Sequence, residues 1–76
     1  MRLRLGGYLT FYESTQQEKI DVPLLKPTRL REILAHLGIP ASEVYLAVLN
    51  GELVSLDETF VSDSDEVRLF PPIDGG

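Results

Sequence analysis

The sequence predicts an α+β domain in which one main helix covers one face of a mixed β-sheet. Three observations point to this class: a single amphipathic helical pattern, alternating apolar and polar residues on either side of it, and an Asn-Gly pair between two strand-like segments. The length of 76 residues fits one domain with a small core. We therefore expect one folded unit without internal repeats.

The N-terminal third has the pattern of a β-hairpin. Residues 1–5 place their leucines on one face and their arginines on the other, which is the period of a strand. Gly6-Gly7 interrupts this pattern, and residues 8–11 are a candidate continuation of the strand. After a polar stretch, residues 19–25 alternate again and predict the second strand.

The segment KPTRLREILAHLGIP predicts the helix. Pro27 and Thr28 fit its first turn, with the Thr28 hydroxyl as an acceptor for an unpaired backbone N–H. The apolar stripe has spacing i, i+3, i+4 and i+7 and consists of Leu30, Ile33, Leu34 and Leu37. Gly38 suits a left-handed cap, and Pro40 stops the helix. We expect about three turns.

The second half predicts three more strands. Residues 45–49 are apolar on both faces, as in a central strand, and Asn50-Gly51 predicts a type I′ turn into a return strand at residues 52–55. Leu56 and Phe60 are expected to pack a loop against the core. Residues 63–65 form a polar turn, and residues 66–70 form the last strand, with Val67 and Leu69 facing inward.

This order of elements predicts a ubiquitin-like β-grasp. The helix must cover one face of the sheet, because nothing else in the chain can bury its apolar stripe. If the first and last strands are neighbours at the centre, they run parallel. The expected division is a β-grasp domain over residues 1–72 and a flexible Gly-Gly tail over residues 73–76.

Composition excludes several classes of function. The absence of cysteine removes disulfides, thiolate metal sites and cysteine nucleophiles. A net charge of −5 argues against nucleic acid as the main partner. There is no apolar run long enough to span a bilayer and no signal-peptide pattern, so we expect a cytoplasmic protein with no membrane partner. The acidic residues of the second half form either a solvated face or a surface that steers docking onto a basic partner. They are Glu52, Asp57, Glu58, Asp63, Asp65, Glu66 and Asp74.

Few side chains are suited to catalysis. His36, the one histidine, falls in the last helical turn, where a cation complements the helix dipole. Paired carboxylates such as Asp63 and Asp65 are typical turn formers. No glycine-rich phosphate loop is present, because no helix opens after Gly6-Gly7. We expect no catalytic residues, no metal site and no bound cofactor, and hence a protein that is not an enzyme.

Two features are not explained by folding. First, Phe70 and Leu53 should point away from the core if Val67, Leu69 and Val54 point inward. Together with Tyr8 they form a candidate docking patch, although scattered surface apolar residues are also normal. Second, the chain given ends in LFPPIDGG.

The final residues suit insertion into another protein. Pro71-Pro72 favours an extended strut, and Gly75 and Gly76 have no side chains that would block a narrow channel. The reactive group that such a channel would reach is the terminal carboxylate. It reacts with nucleophiles only after activation, for instance as an acyl adenylate.

The Asn-Gly turn after an apolar strand, the acidic turn before DEVRLF and the terminal PPIDGG together resemble the MoaD/ThiS family of sulfur carriers. This resemblance implies that an E1-like adenylyltransferase uses ATP to adenylate Gly76. Sulfur then replaces AMP, giving a thiocarboxylate, and Gly75 allows passage into the partner's active site. It also implies that Phe70 and Leu53 contact the partner. The turn before the last strand departs from the family, which usually has Gly-Asp where Ser64-Asp65 stands here.

The FPP motif looks most similar to the small subunit of molybdopterin synthase, whose partner is the large subunit of that synthase. This implies sulfur transfer in molybdopterin biosynthesis for molybdenum or tungsten cofactors. Three alternatives remain: a thiamine-pathway sulfur carrier, a ubiquitin-like modifier conjugated through the same glycine, and a plain interaction module.

Overall fold

A computed structural model describes residues 1–13 and 17–72 of the chain. Within these residues the chain forms seven strands, one α-helix and two short 3-10 helices. The strands are β1 (Arg2–Leu5), β2 (Lys19–Asp21), β3 (Thr28–Arg29), β4 (Leu46–Leu49), β5 (Glu52–Val54), β6 (Phe60–Val61) and β7 (Glu66–Phe70). The helix α1 spans Leu30–Leu37, and the 3-10 helices span Gly7–Tyr12 and Ala41–Glu43.

Five of the strands form the main sheet in the order β2-β1-β7-β4-β5. The first and last strands, β1 and β7, pair in parallel, and the other neighbours in this sheet are antiparallel. Strands β3 and β6 form a separate two-stranded sheet. The N-terminal hairpin and the central parallel pair are therefore confirmed.

The core lies between α1 and one face of the main sheet. Leu3, Leu5, Val67 and Leu69 alternate toward the helix and are at most 3% exposed. The helix contributes the predicted stripe: Leu30, Ile33 and Leu34 are buried and Leu37 is half-buried. Full burial of such a side chain contributes about 1.5–3 kcal/mol to folding. The architecture is the predicted α+β, ubiquitin-like β-grasp.

The helix begins later than its sequence predicts. The predicted cap, Thr28, lies in β3, and its hydroxyl donates to the Lys26 carbonyl at 2.9 Å, so it does not cap the helix. The first free N–H groups of α1 donate to loop carbonyls: Leu30 to Thr59 at 2.9 Å and Arg31 to Leu56 at 3.3 Å. Tertiary contacts therefore replace the side-chain cap. At the other end Gly38 adopts φ 78°, which confirms the left-handed cap.

Two predictions are wrong: the continuation of the first strand through residues 8–11 and the packing of Phe60 against the core. Residues 8–11 form part of a 3-10 helix and do not continue β1, because Gly7 takes a φ of 52° and turns the chain, which buries Leu9. Phe60 does not pack against the core: alternation in β6 buries Val61 and leaves Phe60 55% exposed. Leu56 packs against the core as expected.

The Asn50-Gly51 turn is confirmed and is tied to the start of β7. Both residues have positive φ, 49° and 89°, as a type I′ turn requires. The Asn50 side chain donates to Asp65 Oδ1 at 3.0 Å and accepts from the Glu66 backbone N–H at 2.9 Å. Asp65 Oδ2 accepts from the Ser62 backbone N–H at 2.8 Å. The Ser62 and Asn50 hydrogen bonds lower the pKa of the Asp65 carboxyl.

We predict that Asp65→Ala lowers the free energy of unfolding by about 1 kcal/mol, because two hydrogen bonds to a carboxylate are lost. Because the folded-state pKa is lowered, the ionised carboxylate stabilises the fold fully at pH values above its ordinary pKa of 3.8. This contribution is lost as the pH falls through the folded-state pKa. Urea denaturation at pH 7 and at stepwise lower pH should therefore show a difference from wild type that shrinks below pH 3.8.

Glu58→Ala is the matched control, since Glu58 is an exposed carboxylate outside this network. An equal loss in Glu58→Ala, or a pH-independent difference for Asp65→Ala, would contradict the role assigned to Asp65.

Candidate functional site

The face of the main sheet away from α1 is the candidate site. Alternation along five strands points ten side chains away from the core. Eight of them are exposed, and Val48 and Glu66 are half-buried. We call this surface the open face, and its residues are Arg2, Arg4, Lys19, Asp21, Leu46, Val48, Leu53, Glu66, Arg68 and Phe70.

One half of the open face is apolar. The register of the strands places Phe70 on β7 opposite Leu46 on β4. It also places Val48 on β4 opposite Leu53 on β5. Side chains opposite each other on one face are in contact range, with Cβ atoms about 5 Å apart. The four residues thus form a continuous apolar strip that ends at Phe70. Phe70, Leu46 and Leu53 are 38%, 39% and 69% exposed.

The structure brings together two of the three predicted patch residues. Phe70 and Leu53 face outward as expected and belong to the apolar strip. Tyr8 lies in the first 3-10 helix, packs partly against the core and donates its hydroxyl to Glu43 Oε2 at 2.9 Å. Partial burial raises the pKa of the Tyr8 hydroxyl, and Glu43 adds to that rise. Its participation in docking stays a prediction.

Leu46 and Val48 belong to the strip but do not follow from the sequence reasoning. Residues 45–49 are apolar on both faces, so their composition does not distinguish inward from outward positions. The two-residue turn at Asn50-Gly51 contains the missing signal. It places Val48 opposite Leu53, so an outward Leu53 requires an outward Val48.

The end of β7, next to the tail, is held from both sides. The Gly6 N–H donates to the Leu69 carbonyl at 2.8 Å, and the Tyr45 N–H donates to the Phe70 carbonyl at 2.8 Å. A Cβ atom at Gly6 would lie 3.1 Å from that Leu69 oxygen and 3.2 Å from Cδ1 of Phe70, so a larger residue would require the strand or the Phe70 ring to shift by a few tenths of an ångström. Pro71 is buried and Pro72 is exposed. The predicted tail residues Gly75 and Gly76 lie outside the described residues.

Several acidic residues of the second half make contacts within the protein. Asp57 pairs with Arg31, Asp63 accepts from the Leu24 N–H at 2.9 Å, and Asp65 joins the turn network described above. These three carboxylates therefore have structural partners, and the Asp65 contact with Ser62 agrees with its interpretation as a turn former. Whether the acidic residues also steer docking stays a prediction.

The described residues offer neither a metal cluster nor a membrane-spanning helix. Over residues 1–13 and 17–72, no cluster of three or more His, Asp or Glu side chains could hold a metal ion. The same part of the chain contains no helix that is long and apolar enough to cross a membrane. His36 is exposed in the last turn of α1.

A family model matches most of the chain. The model of the ThiS family matches residues 10–76, which includes β2 to β7, the helix and the C-terminal residues. A search of curated proteins found none that matches the chain. The family match and the β-grasp fold agree with each other, since ThiS/MoaD sulfur carriers have a ubiquitin-like fold. The chain belongs to the ThiS family of small, non-catalytic sulfur carriers, which work with an adenylyltransferase and an acceptor enzyme.

Proposed function

We propose that this protein carries sulfur as a thiocarboxylate on Gly76 and donates it in molybdopterin biosynthesis. The observation that carries the proposal is the position of the apolar strip: it ends at Phe70, directly before the Pro71-Pro72 segment that leads to Gly76. A partner that covers the strip therefore also contacts the point from which the chain continues toward Gly76. Membership of the ThiS family supports the carrier role.

The chemistry takes place in partner active sites. The Gly76 carboxylate attacks the α-phosphorus of ATP and pyrophosphate leaves, which gives an acyl adenylate. A sulfide-level nucleophile then attacks the acyl carbon; a C–S bond forms, the C–O bond to AMP breaks and AMP leaves. The thiocarboxylate that remains is the sulfur donor for the acceptor enzyme. No side chain of the carrier takes part in these steps.

The end of β7, where the chain leaves the sheet, suits this role. Hydrogen bonds from Gly6 and Tyr45 fix the last two residues of β7, so the direction in which the chain leaves the sheet is set before the partner binds. Gly76 lies four residues beyond Pro72, so a fully extended chain would place it at most about 14 Å from Pro72. The partner's reactive centre must then lie within that distance of Pro72. Gly75 and Gly76 allow the last part of the path to be narrow.

We favour the molybdopterin pathway because Phe70-Pro71-Pro72 resembles the small subunit of molybdopterin synthase. In that pathway the acceptor is the large subunit of the synthase. The thiamine pathway is the alternative for the same thiocarboxylate. A ubiquitin-like modifier would use the same adenylate but form an isopeptide bond to a lysine.

We predict that incubation with the cognate adenylyltransferase, ATP and a sulfide-level donor raises the intact mass by the difference between sulfur and oxygen. The activated acyl carbon accepts sulfur only if the glycine terminus reaches the enzyme. A variant that lacks Gly75 and Gly76 is the control and should keep its mass. An unchanged wild-type mass with an active cognate enzyme would contradict the proposal.

The thiocarboxylated product then identifies the pathway. Formation of molybdopterin with the synthase large subunit and precursor Z supports the proposed branch. Sulfur transfer to an acceptor enzyme of the thiamine pathway in its place would show that alternative, and conjugates that survive reduction and boiling would show a modifier.

We predict that Phe70→Asp weakens binding to the adenylyltransferase by at least about 30-fold, because a charge replaces an apolar anchor next to the tail. The fold should persist, since Phe70 lies on the open face and not in the core. Calorimetric titration gives the Kd, and thermal unfolding by circular dichroism reports the fold.

The matched control is Phe60→Asp, an exposed aromatic residue on β6, away from the open face. Its Kd should stay within about twofold of wild type. Equal effects of the two variants would mean that the strip is not the docking surface.

A further inference from the structure

Positive charge is concentrated on the open face, although the chain as a whole carries a net charge of −5. Four of the seven Lys and Arg residues lie there with two carboxylates. The four cations are Arg2, Arg4, Lys19 and Arg68, and the carboxylates are Asp21 and Glu66. The local charge therefore has the opposite sign to the charge of the protein.

Register separates these cations into two groups. Arg2 lies opposite Asp21 on β2 and opposite Glu66 on β7, so its charge has two carboxylates as neighbours. Arg4 lies opposite Lys19 and opposite Arg68. We call Lys19, Arg4 and Arg68 the basic row, because they follow one another across three adjacent strands.

The basic row is unfavourable for the isolated fold. Like charges directly opposite each other on neighbouring strands destabilise a sheet. Arg68 has Glu66 on its own strand, with 3.7 Å between Nε and Oε1. Within residues 1–13 and 17–72, neither Arg4 nor Lys19 has a carboxylate within ion-pair distance. The contacts of the fold therefore do not explain this arrangement.

We propose that the basic row binds an acidic surface of the protein partner that covers the apolar strip; this rests on the proposed function. The two surfaces are continuous: Arg68 lies opposite Val48, and Val48 lies opposite Leu53. A single line across five strands thus changes from three cations to two aliphatic residues. The complementary partner surface is an apolar patch with Asp and Glu residues along one side.

The geometry favours an acidic protein surface over a small anion or a nucleic acid as the ligand of the basic row. The hollow lined by Arg4, Lys19 and Arg68 has a volume of about 190 Å³, and its cations are exposed. Glu18 also lines it, which would oppose a small, highly charged anion such as a phosphate group. The net charge of −5 opposes nucleic acid. An apolar surface beside the cations fits neither of these ligands but fits a protein.

The test compares Arg4→Glu with Lys26→Glu, which makes the same change in net charge on an exposed loop residue away from the open face. Association of the unmodified carrier with its adenylyltransferase is measured by stopped-flow at several salt concentrations. For Arg4→Glu we expect an association rate at least about tenfold lower at low salt and a weaker salt dependence than wild type. Lys26→Glu should stay within about threefold of wild type, since its charge is remote from the contact.

A second measurement separates docking from damage to the fold. Because Glu at position 4 would lie opposite two cations, the urea midpoint of Arg4→Glu should be equal to or higher than that of wild type. A variant that binds more weakly while its fold is no less stable supports the inference. A lower midpoint, or an association rate equal to that of Lys26→Glu, overturns it.

Binding of other ligands by the basic row would also decide the inference. Arg4-dependent binding of a short DNA duplex or of inorganic phosphate, with unchanged association to the enzyme, would overturn the inference in favour of those ligands.

The wild-type mass shift tests the sulfur-carrier function separately. If the mass shift occurs and Arg4→Glu associates normally, only this inference is wrong. If the mass shift fails while Arg4→Glu associates slowly, only the carrier function is wrong.

Discussion

The parallel pairing of β1 with β7 is the constraint on which the rest of the structure depends. It joins the two ends of the described chain at the middle of the sheet and buries Leu3, Leu5, Val67 and Leu69 against the helix. Such a pairing has a large sequence separation, so the chain must close a long loop before it gains these contacts. The buried leucines and valine offset that entropic cost.

The same pairing creates the open face. Because strand residues alternate between faces, each buried position in β1 and β7 is followed by an exposed one. The core thus determines which side chains are presented outward, and the strand order determines which of them are neighbours. The apolar strip and the basic row therefore arise from one register, and a slip of one residue would bury the cations and expose the core.

Family membership and geometry contribute different parts of the functional account. The ThiS match covers residues 10–76 and gives a small sulfur carrier that works with other enzymes. The geometry adds that the end of β7 is fixed by Gly6 and Tyr45 immediately before the tail. Under the proposed function, the carrier depends on where its terminus is delivered. The fixed end of β7 beside the apolar strip would then control that delivery.

The sequence by itself determined the elements with local signals: the apolar stripe of α1, the Gly38 cap, the Asn50-Gly51 turn and the outward direction of Phe70 and Leu53. Only the tertiary structure decided the helix start, where Thr59 and Leu56 carbonyls replace the expected Thr28 cap, and the exposure of Phe60. It also decided that Leu46 and Val48 join the strip and that Arg4 lies between Lys19 and Arg68. The reason is physical: periodicity and turn chemistry act over a few neighbouring residues, whereas cross-strand pairing and loop-to-helix hydrogen bonds join residues far apart in the chain.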